Sequence, residues 1–260
     1  MYDPKILLTN DDGIDAAGHR ALYDALSEIG AVTAIAPATD QSAVGRTLSY
    51  SARVREHELG YEIDGTPSDC VIAGLSELVP DVDLVVAGCN RGANLGTAVL
   101  GRSGTVSAAV EATFFNVPAV AVSTYVPTGE YTSGDKLALP RDQYGEAVSA
   151  AAFLINNAEL GELFGNADYL NLNAPVSDDA RSEMTVTVPS RSYHMTATRV
   201  GDEIELQNNA WGLMSDGTLS DEPGTDRQAI LDGLTSVSPL TAPHTVEEAA
   251  ALGTLTEAYT

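Results

Sequence analysis

Lys5-Ile6-Leu7-Leu8-Thr9-Asn10-Asp11-Asp12-Gly13 joins a short apolar run to a pair of acids and a glycine. Ile6 to Thr9 is continuous in its hydrophobicity, as a strand covered on both faces must be. The run breaks at two adjacent carboxylates, which repel each other at a cost that grows as water is excluded. A chain keeps such a pair at a strand end most readily when a cation binds between them. With hard oxygen ligands, Mg²⁺ or Mn²⁺ is the natural ion. The plainer reading is a turn that happens to contain Asp-Asp-Gly, because Asp and Gly are common turn formers.

The segments on either side of this stretch place it in a fold. Ala17 to Ile29 has helical spacing, with Ala21, Leu22, Ala25, Leu26 and Ile29 on one face and Gly30 as a stop. Val32 to Ala36 reads as a second strand ended by Pro37, and Asp69 to Leu78 as a helix. Leu84 to Ala87 is another buried strand ended by Gly88, Thr105 to Phe115 is helical, and Ala119 to Val122 is a strand. Continuous apolar strands with helices between them imply an α/β fold, a Rossmann-like three-layer core around a mostly parallel sheet. Ligands in such sheets bind beyond the carboxyl ends of the strands, where Asp11 and Asp12 fall.

The second half is less regular. Tyr144 to Asn156 reads as a helix and Tyr169 to Asn173 as a strand ended by Ala174-Pro175. Thr185 to Val188 alternates, and Met195 to Leu206 reads as a hairpin turning at Gly201-Asp202. Residues 208–226 are polar and read as a long loop. Val246 to Leu252 reads as a helix, with Thr245 and Glu248 in capping-box register. The expected division is a core over 1–185 and a β-rich C-terminal arm over 186–260. An arm of this kind buries little by itself, so it is expected to pack back on the core and against a neighbouring subunit.

The charge balance is extreme. Among 260 residues, 37 are Asp or Glu and 13 are Lys or Arg, a net charge of −24, and Lys5 and Lys136 are the only lysines. Such a charge strains a compact fold at low ionic strength. At molar salt the screening length falls to about 3 Å and the repulsion largely disappears. The composition therefore fits a salt-loaded cytoplasm and excludes nucleic acid polymers and anionic membranes as partners. With 44% hydrophobic residues, the chain can bury a sizeable core. Cys70 and Cys89 lack metal-binding spacing and read as buried thiols. The start of the chain has no signal-peptide pattern and no apolar run reaches about 18 residues, so a cytoplasmic location is expected.

Three further segments fall at strand ends. Ala36-Pro37-Ala38-Thr39-Asp40-Gln41-Ser42 brings a hydroxyl at Ser42. Gly88-Cys89-Asn90-Arg91-Gly92-Ala93-Asn94-Leu95-Gly96 is rich in glycine and offers an amide oxygen at Asn90. Arg102-Ser103-Gly104-Thr105-Val106 opens a helix, and free N–H groups beside two hydroxyls make an anion cradle. Each has an ordinary explanation: a Gly-Asn connection, an N-cap, a surface serine. Together they put two carboxylates, a hydroxyl, an amide and an anion cradle on one sheet edge, the arrangement expected for phosphate ester hydrolysis.

In order along the chain, Thr9-Asn10-Asp11-Asp12-Gly13, Ala36-Pro37 with Ser42, Gly65-Thr66-Pro67-Ser68-Asp69-Cys70-Val71, the glycine-rich loop and Ser103-Gly104-Thr105-Val106 resemble the SurE family of survival proteins. The resemblance is dense over residues 5–125. It resumes at Asn171-Leu172-Asn173-Ala174-Pro175 and at Gly224-Thr225-Asp226 leading to Ser236-Val237-Ser238-Pro239-Leu240. It implies a metal-dependent 5′-nucleotidase acting on nucleoside monophosphates. By the same resemblance, one divalent ion is held by Asp11, Asp12, Ser42 and Asn90, and the phosphate by Asn94, Ser103, Gly104 and Thr105. A C-terminal arm exchanged between subunits of a homodimer or homotetramer is implied as well. Two features depart from the family. The link Thr97-Ala98-Val99-Leu100-Gly101-Arg102 is one residue longer than usual, and 195–226 lacks an aromatic, Arg-Gly-rich stretch.

On this reading Asp11 and Asp12 are the catalytic candidates, whether by orienting or deprotonating water or by direct attack. His57, His194 and His244 fall in peripheral segments, and His19 is expected to face solvent. A receiver-type signalling domain also binds Mg²⁺ through paired acids, but it needs an aspartate at the end of its central strand, where this chain has Gly88-Cys89-Asn90. A dinucleotide-binding dehydrogenase needs a glycine fingerprint where two carboxylates stand. A haloacid-dehalogenase-type phosphatase uses Asp-x-Asp rather than adjacent acids. Base preference, the 5′ or 3′ position and action on polyphosphate stay open at this level.

Overall fold

The structure is a computed structural model and describes residues 3–127 and 139–243. The opening strand is β1 (Lys5–Thr9), followed by α1 (Ala17–Ser27) and β2 (Ala31–Pro37). A short hairpin not expected from the sequence follows, β3 (Val54–His57) and β4 (Gly60–Ile63). Next come α2 (Pro67–Ala73), β5 (Leu84–Arg91), α3 (Thr97–Leu100), α4 (Gly104–Thr113) and β6 (Ala119–Tyr125). The second half supplies α5 (Gly145–Asn157), α6 (Leu160–Phe164), β7 (Tyr169–Pro175), β8 (Met184–Val186), β9 (Met195–Val200) and β10 (Glu203–Asn208). The described residues close with α7 (Ala210–Ser215), α8 (Asp226–Leu231) and β11 (Thr235–Leu240).

Nine strands form one sheet in the order β3-β4-β2-β1-β5-β6-β7-β11-β8. Pairing is parallel from β4 through β7; the antiparallel pairs are β3 with β4 and β11 with β7. The chain leaves β1 for β2 on one side and reaches β5 on the other, so the strand order reverses between β1 and β5. In open α/β sheets that switch point is where a crevice forms.

Side-chain alternation along the strands builds the two flanking layers. Ile6, Leu8, Leu84, Val86, Val120 and Val122 pack against Leu22 and Leu26 of α1 and Ala147, Ala151 and Ile155 of α5. Leu7, Ile35, Val85, Ala87, Ala119 and Ala121 pack on the other face against Cys70, Val71, Val106 and Ala109 of α2 and α4. The expected three-layer core around a mostly parallel sheet is the observed one. Helix α2 starts at a capping box in which Thr66 Oγ1 accepts from Asp69 N at 3.2 Å and Asp69 Oδ2 accepts from Thr66 N at 2.7 Å.

Several expectations need correction. The helix expected over Asp69–Leu78 is α2 followed by a π-helical turn, Gly74–Leu78. Strand β5 does not stop at Gly88. It runs to Arg91 with a register irregularity between Ala87 and Asn90, because parallel pairing with β6 resumes at Asn90–Ser123. The stretch 208–226 is not all loop: Trp211, Leu213 and Met214 pack with Ala93, Leu95 and Tyr125, and this burial sustains α7. The hairpin expected over Met195–Leu206 is present as β9 and β10, joined antiparallel. The helix expected over Val246–Leu252, its Thr245–Glu248 pair, and His244 lie outside the described residues. Among the described residues, no helix is long and apolar enough to cross a membrane.

Candidate active site

Asp11 and Asp12 leave the carboxyl end of β1 at the switch point. Asp11 is buried, 3% exposed, and its Oδ1 accepts from Thr105 Oγ1 at 2.5 Å. Asp12 Oδ2 accepts from Arg91 N at 3.0 Å, which ties the acid pair to the end of β5. The loop after β2 docks against the same turn: Gln41 N donates to Asp11 O at 2.7 Å and Ile14 N to Pro37 O at 2.9 Å. Ser42 in that loop is exposed, and its Oγ bonds Asp40 Oδ1 at 2.5 Å.

The glycine-rich loop is held by β7. Asn94 N donates to Asn173 Oδ1 at 2.8 Å, and Asn94 O accepts from Asn171 Nδ2 at 2.9 Å. The Asn94 amide itself donates to Ser123 Oγ at 2.9 Å. Asn90 Nδ2 donates to Gly92 O at 2.5 Å, which turns the Asn90 amide oxygen the other way. The motif Asn171-Leu172-Asn173 thus has a physical meaning: two inward-facing amides of a buried strand grip the main chain of the loop above them.

Ser103 caps α4, its Oγ accepting from Val106 N at 3.0 Å. The cap leaves the N–H groups of Gly104 and Thr105 without an acceptor within the helix, and the Asp11 carboxyl takes a hydrogen bond from the Thr105 main chain. Gly104 is a close-approach position. A Cβ there would lie 2.8 Å from Asp11 Cβ and 2.9 Å from Asp11 Oδ2, so only glycine lets α4 begin directly against the acid pair.

A cavity of about 540 Å³ collects these groups: Asp11, Ser42, Asn90, Asn94 and Ser103 all line it. Thr105 and Asp12 adjoin it through their bonds to Asp11 and Arg91, and Gly104 through its packing on Asp11. All eight expected residues therefore cluster at one end of the sheet. The cavity has other walls that sequence reasoning did not assign: Tyr125, Val126 and Trp211, together with Arg102 at the entrance to the cradle. Trp211 is the lone tryptophan of the chain, and a large aromatic in an otherwise polar stretch was the available signal.

Burial, and then the neighbouring Asp12 charge, push the Asp11 carboxyl up from 3.8 to about 7. The Thr105 hydrogen bond opposes this and does not overcome it. An acid pair so disposed is unfavourable when both members are charged, and a cation reverses both causes. The nearby oxygen donors are two carboxylates, a hydroxyl and an amide, a set suited to a hard divalent ion. Among the described residues, no three His, Cys, Asp or Glu side chains gather as a metal cage, so neutral oxygens would have to complete the shell.

The histidine expectation fails for His19. It is fully buried, and its Nδ1 lies 3.1 Å from Gly88 O. Gly18 explains the burial: a Cβ there would lie 2.3 Å from Cys89 O, so α1 lies close enough on β5 to cover the next residue. Desolvation lowers the His19 pKa from 6.5 to about 4, so the ring is neutral and buttresses the backbone just before Asn90. Cys70 and Cys89 are buried free thiols, as expected. Burial pushes Cys89 up to about 12, and it lies 3.3 Å from Thr124 Oγ1.

Comparison with known proteins bears on the family and the fold. The family described as survival protein SurE matches residues 6–197. The chain is 58% identical over 259 residues to the 5′-nucleotidase SurE of Haloarcula marismortui, covering 100% of this chain and 96% of that protein. It is 54% identical over 255 residues to the protein of the same name from Natronomonas pharaonis, covering 98% and 99%. Both sources are halophilic archaea, in keeping with the charge balance. The crystal structure of the SurE protein from Aquifex aeolicus superposes with a TM-score of 0.76 at 28% identity, covering 98% of this chain and 100% of that one. With the fold, the motifs and near full-length relatives in agreement, the chain belongs to the survival protein SurE family.

Proposed function

We propose that this protein is a metal-dependent phosphomonoesterase that hydrolyses nucleoside 5′-monophosphates to nucleoside and phosphate. The observation that carries this reading is the Asp11–Asp12 pair, Asp11 buried and Asp12 half-buried beside it, at a cavity lined by Asp11, Ser42, Asn90, Asn94 and the capping Ser103 of α4. The substrate class rests on the relatives named 5′-nucleotidase SurE.

Asp11, Asp12, Ser42 and Asn90 would hold Mg²⁺ or Mn²⁺. When bound, such an ion acidifies a water and neutralises charge on a phosphoryl oxygen. Asn94, Ser103, Gly104 and Thr105 bind and orient the phosphoryl group through an amide, hydroxyls and main-chain N–H groups at the start of α4. Thr105 fixes the rotamer of Asp11 through its 2.5 Å bond, and Arg91 N fixes Asp12. The two carboxylates are the groups that hold or move a proton next to the reacting oxygen. Tyr125, Val126 and Trp211 form a less polar wall suited to the nucleoside, away from the acids.

The same reading assigns 1–185 to the phosphatase core and 186–260 to an arm that packs back on the core and contacts other subunits of a homodimer or homotetramer. In support, the β9–β10 hairpin pairs with no other strand among the described residues and exposes Val200, Ile204 and Leu206. The −24 charge suits a salt-loaded cytoplasm.

The test is phosphate release from a panel of nucleoside monophosphates and polyphosphate with Mg²⁺ or Mn²⁺ in molar KCl. Mononucleotides should be hydrolysed only with metal, and Asp12→Ala should lose about 100-fold or more of that activity. An Asp12→Ala variant with full metal-dependent activity would overturn the reading.

A further inference from the structure

The glycine-rich loop ends at Gly96, two residues beyond Asn94, and the link through α3 leads from there to Ser103. The two halves of the proposed phosphate cradle are therefore spaced by whatever holds Gly96. The group that does so comes from 130 residues further along the chain. Asp226, at the start of α8, is fully buried, and its Oδ2 accepts from Gly96 N at 2.7 Å. Its Oδ1 accepts from Ser190 N at 2.9 Å and from Arg227 N at 2.8 Å. Two further main-chain bonds complete the junction: Thr97 N to Ser190 O at 2.8 Å and Asp226 N to Val188 O at 3.0 Å.

Gly96 has φ +81°, and a Cβ on it would lie 2.4 Å from the Arg227 guanidinium. That guanidinium is 2% exposed and reaches Ser192 O at 3.1 Å and Leu95 O at 3.5 Å. The C-terminal segment thus grips the loop from below at Gly96 while β7 grips it at Asn94. The link 97–102 contains the helical turn Thr97–Leu100, with its entry pinned by this junction.

We infer that Asp226 is a positioning residue for phosphate binding, setting the distance between Asn94 and the Ser103–Thr105 turn by fixing Gly96 N. This inference rests on the assignment of those residues to the phosphate. A buried carboxylate that satisfies three main-chain donors leaves each of them unpaired when it is removed. Asp226→Asn is a sharper perturbation than alanine. If its oxygen keeps the Ser190 and Arg227 donors, its NH₂ faces the Gly96 N–H, donor against donor, and the loop is released selectively.

The experiment uses the full chain in molar KCl. It compares wild type, Asp226→Asn and Asp226→Glu for mononucleotide kinetics, inhibition by inorganic phosphate, Mn²⁺ binding by calorimetry, and amide exchange at Gly96. In Asp226→Asn, KM and the phosphate inhibition constant should each rise about tenfold or more. The Mn²⁺ affinity should hold within about twofold, and Gly96 exchange should accelerate. Asp226→Glu should shift in the same direction by less. Should the Asn variant not fold, the Glu variant decides on the same readouts. A folded variant with faster Gly96 exchange but unchanged KM and phosphate inhibition would overturn the inference, as would a loss confined to thermal stability. If wild type released no phosphate from any mononucleotide, the assigned activity would fail instead. Inorganic phosphate binding and Gly96 exchange would still judge the clamp.

Discussion

Replacing Asp11 by asparagine should stabilise the metal-free protein while destroying its response to metal. Asparagine keeps an oxygen to accept the Thr105 hydroxyl and removes the charge that burial and Asp12 oppose. The Asp11 carboxyl stands at about 7 in the fold against 3.8 ordinarily, and each unit corresponds to about 1.4 kcal/mol. A raised folded-state value means the contribution is present below pH 3.8 and is lost as pH rises through about 7. At pH 8 the penalty has a ceiling of roughly 4 kcal/mol, and relaxation and water entry reduce it to about 2–4 kcal/mol. The assay is urea unfolding with a chelator in molar KCl from pH 5 to 8. Asp11→Asn should be more stable by that amount at pH 8, and the gap should shrink by more than half by about pH 5. Saturating Mn²⁺ should raise the unfolding midpoint of wild type and leave the variant unchanged. An Asp11→Asn protein no more stable than wild type at pH 8 without metal, or equally stabilised by Mn²⁺, would refute the reasoning.

Three further outcomes follow from the same geometry. Gly104→Ala should cost about 100-fold or more in phosphate release despite the better helix propensity of alanine, because its Cβ would press on Asp11 at 2.8 Å; steady-state kinetics alongside circular dichroism check this. Thr105→Val removes a donor that favours the charged form of Asp11, so the pH at which Mn²⁺ binding is half complete should rise by about one unit, read by calorimetry across pH. His19 is depressed from 6.5 to about 4, so its contribution is present above pH 6.5 and is lost as pH falls through the folded value. His19→Asn should remove up to about 3 kcal/mol of stability change between pH 7 and 4, measured as the difference between wild-type and variant unfolding free energies.

Features carried by neighbouring residues are legible in the amino-acid sequence itself. The continuous apolar run Ile6–Thr9, the alternation of such runs with helical spacing, and the acids at a strand end imply a parallel sheet with a site at its carboxyl edge. Hydrophobic periodicity is a local record of which faces are covered. The same record misled at His19, because burial of that ring depends on how closely α1 approaches β5 at Gly18. It also missed α7, whose apolar face is defined by Ala93, Leu95 and Tyr125 from distant parts of the chain.

The chemistry on offer followed from residue types and their order: Asp11, Asp12, Ser42, Asn90, Asn94, Ser103, Gly104 and Thr105 form a coherent set of oxygen donors and anion-binding groups. Their convergence did not. The reversal of strand order between β1 and β5, the return of β11 to the sheet beside β7, and the grip of Asn171, Asn173 and Asp226 on the glycine-rich loop join residues 63 to 130 positions apart. Such contacts are selected by the packing and hydrogen-bond satisfaction of the whole chain at once, and no window of local sequence contains both partners.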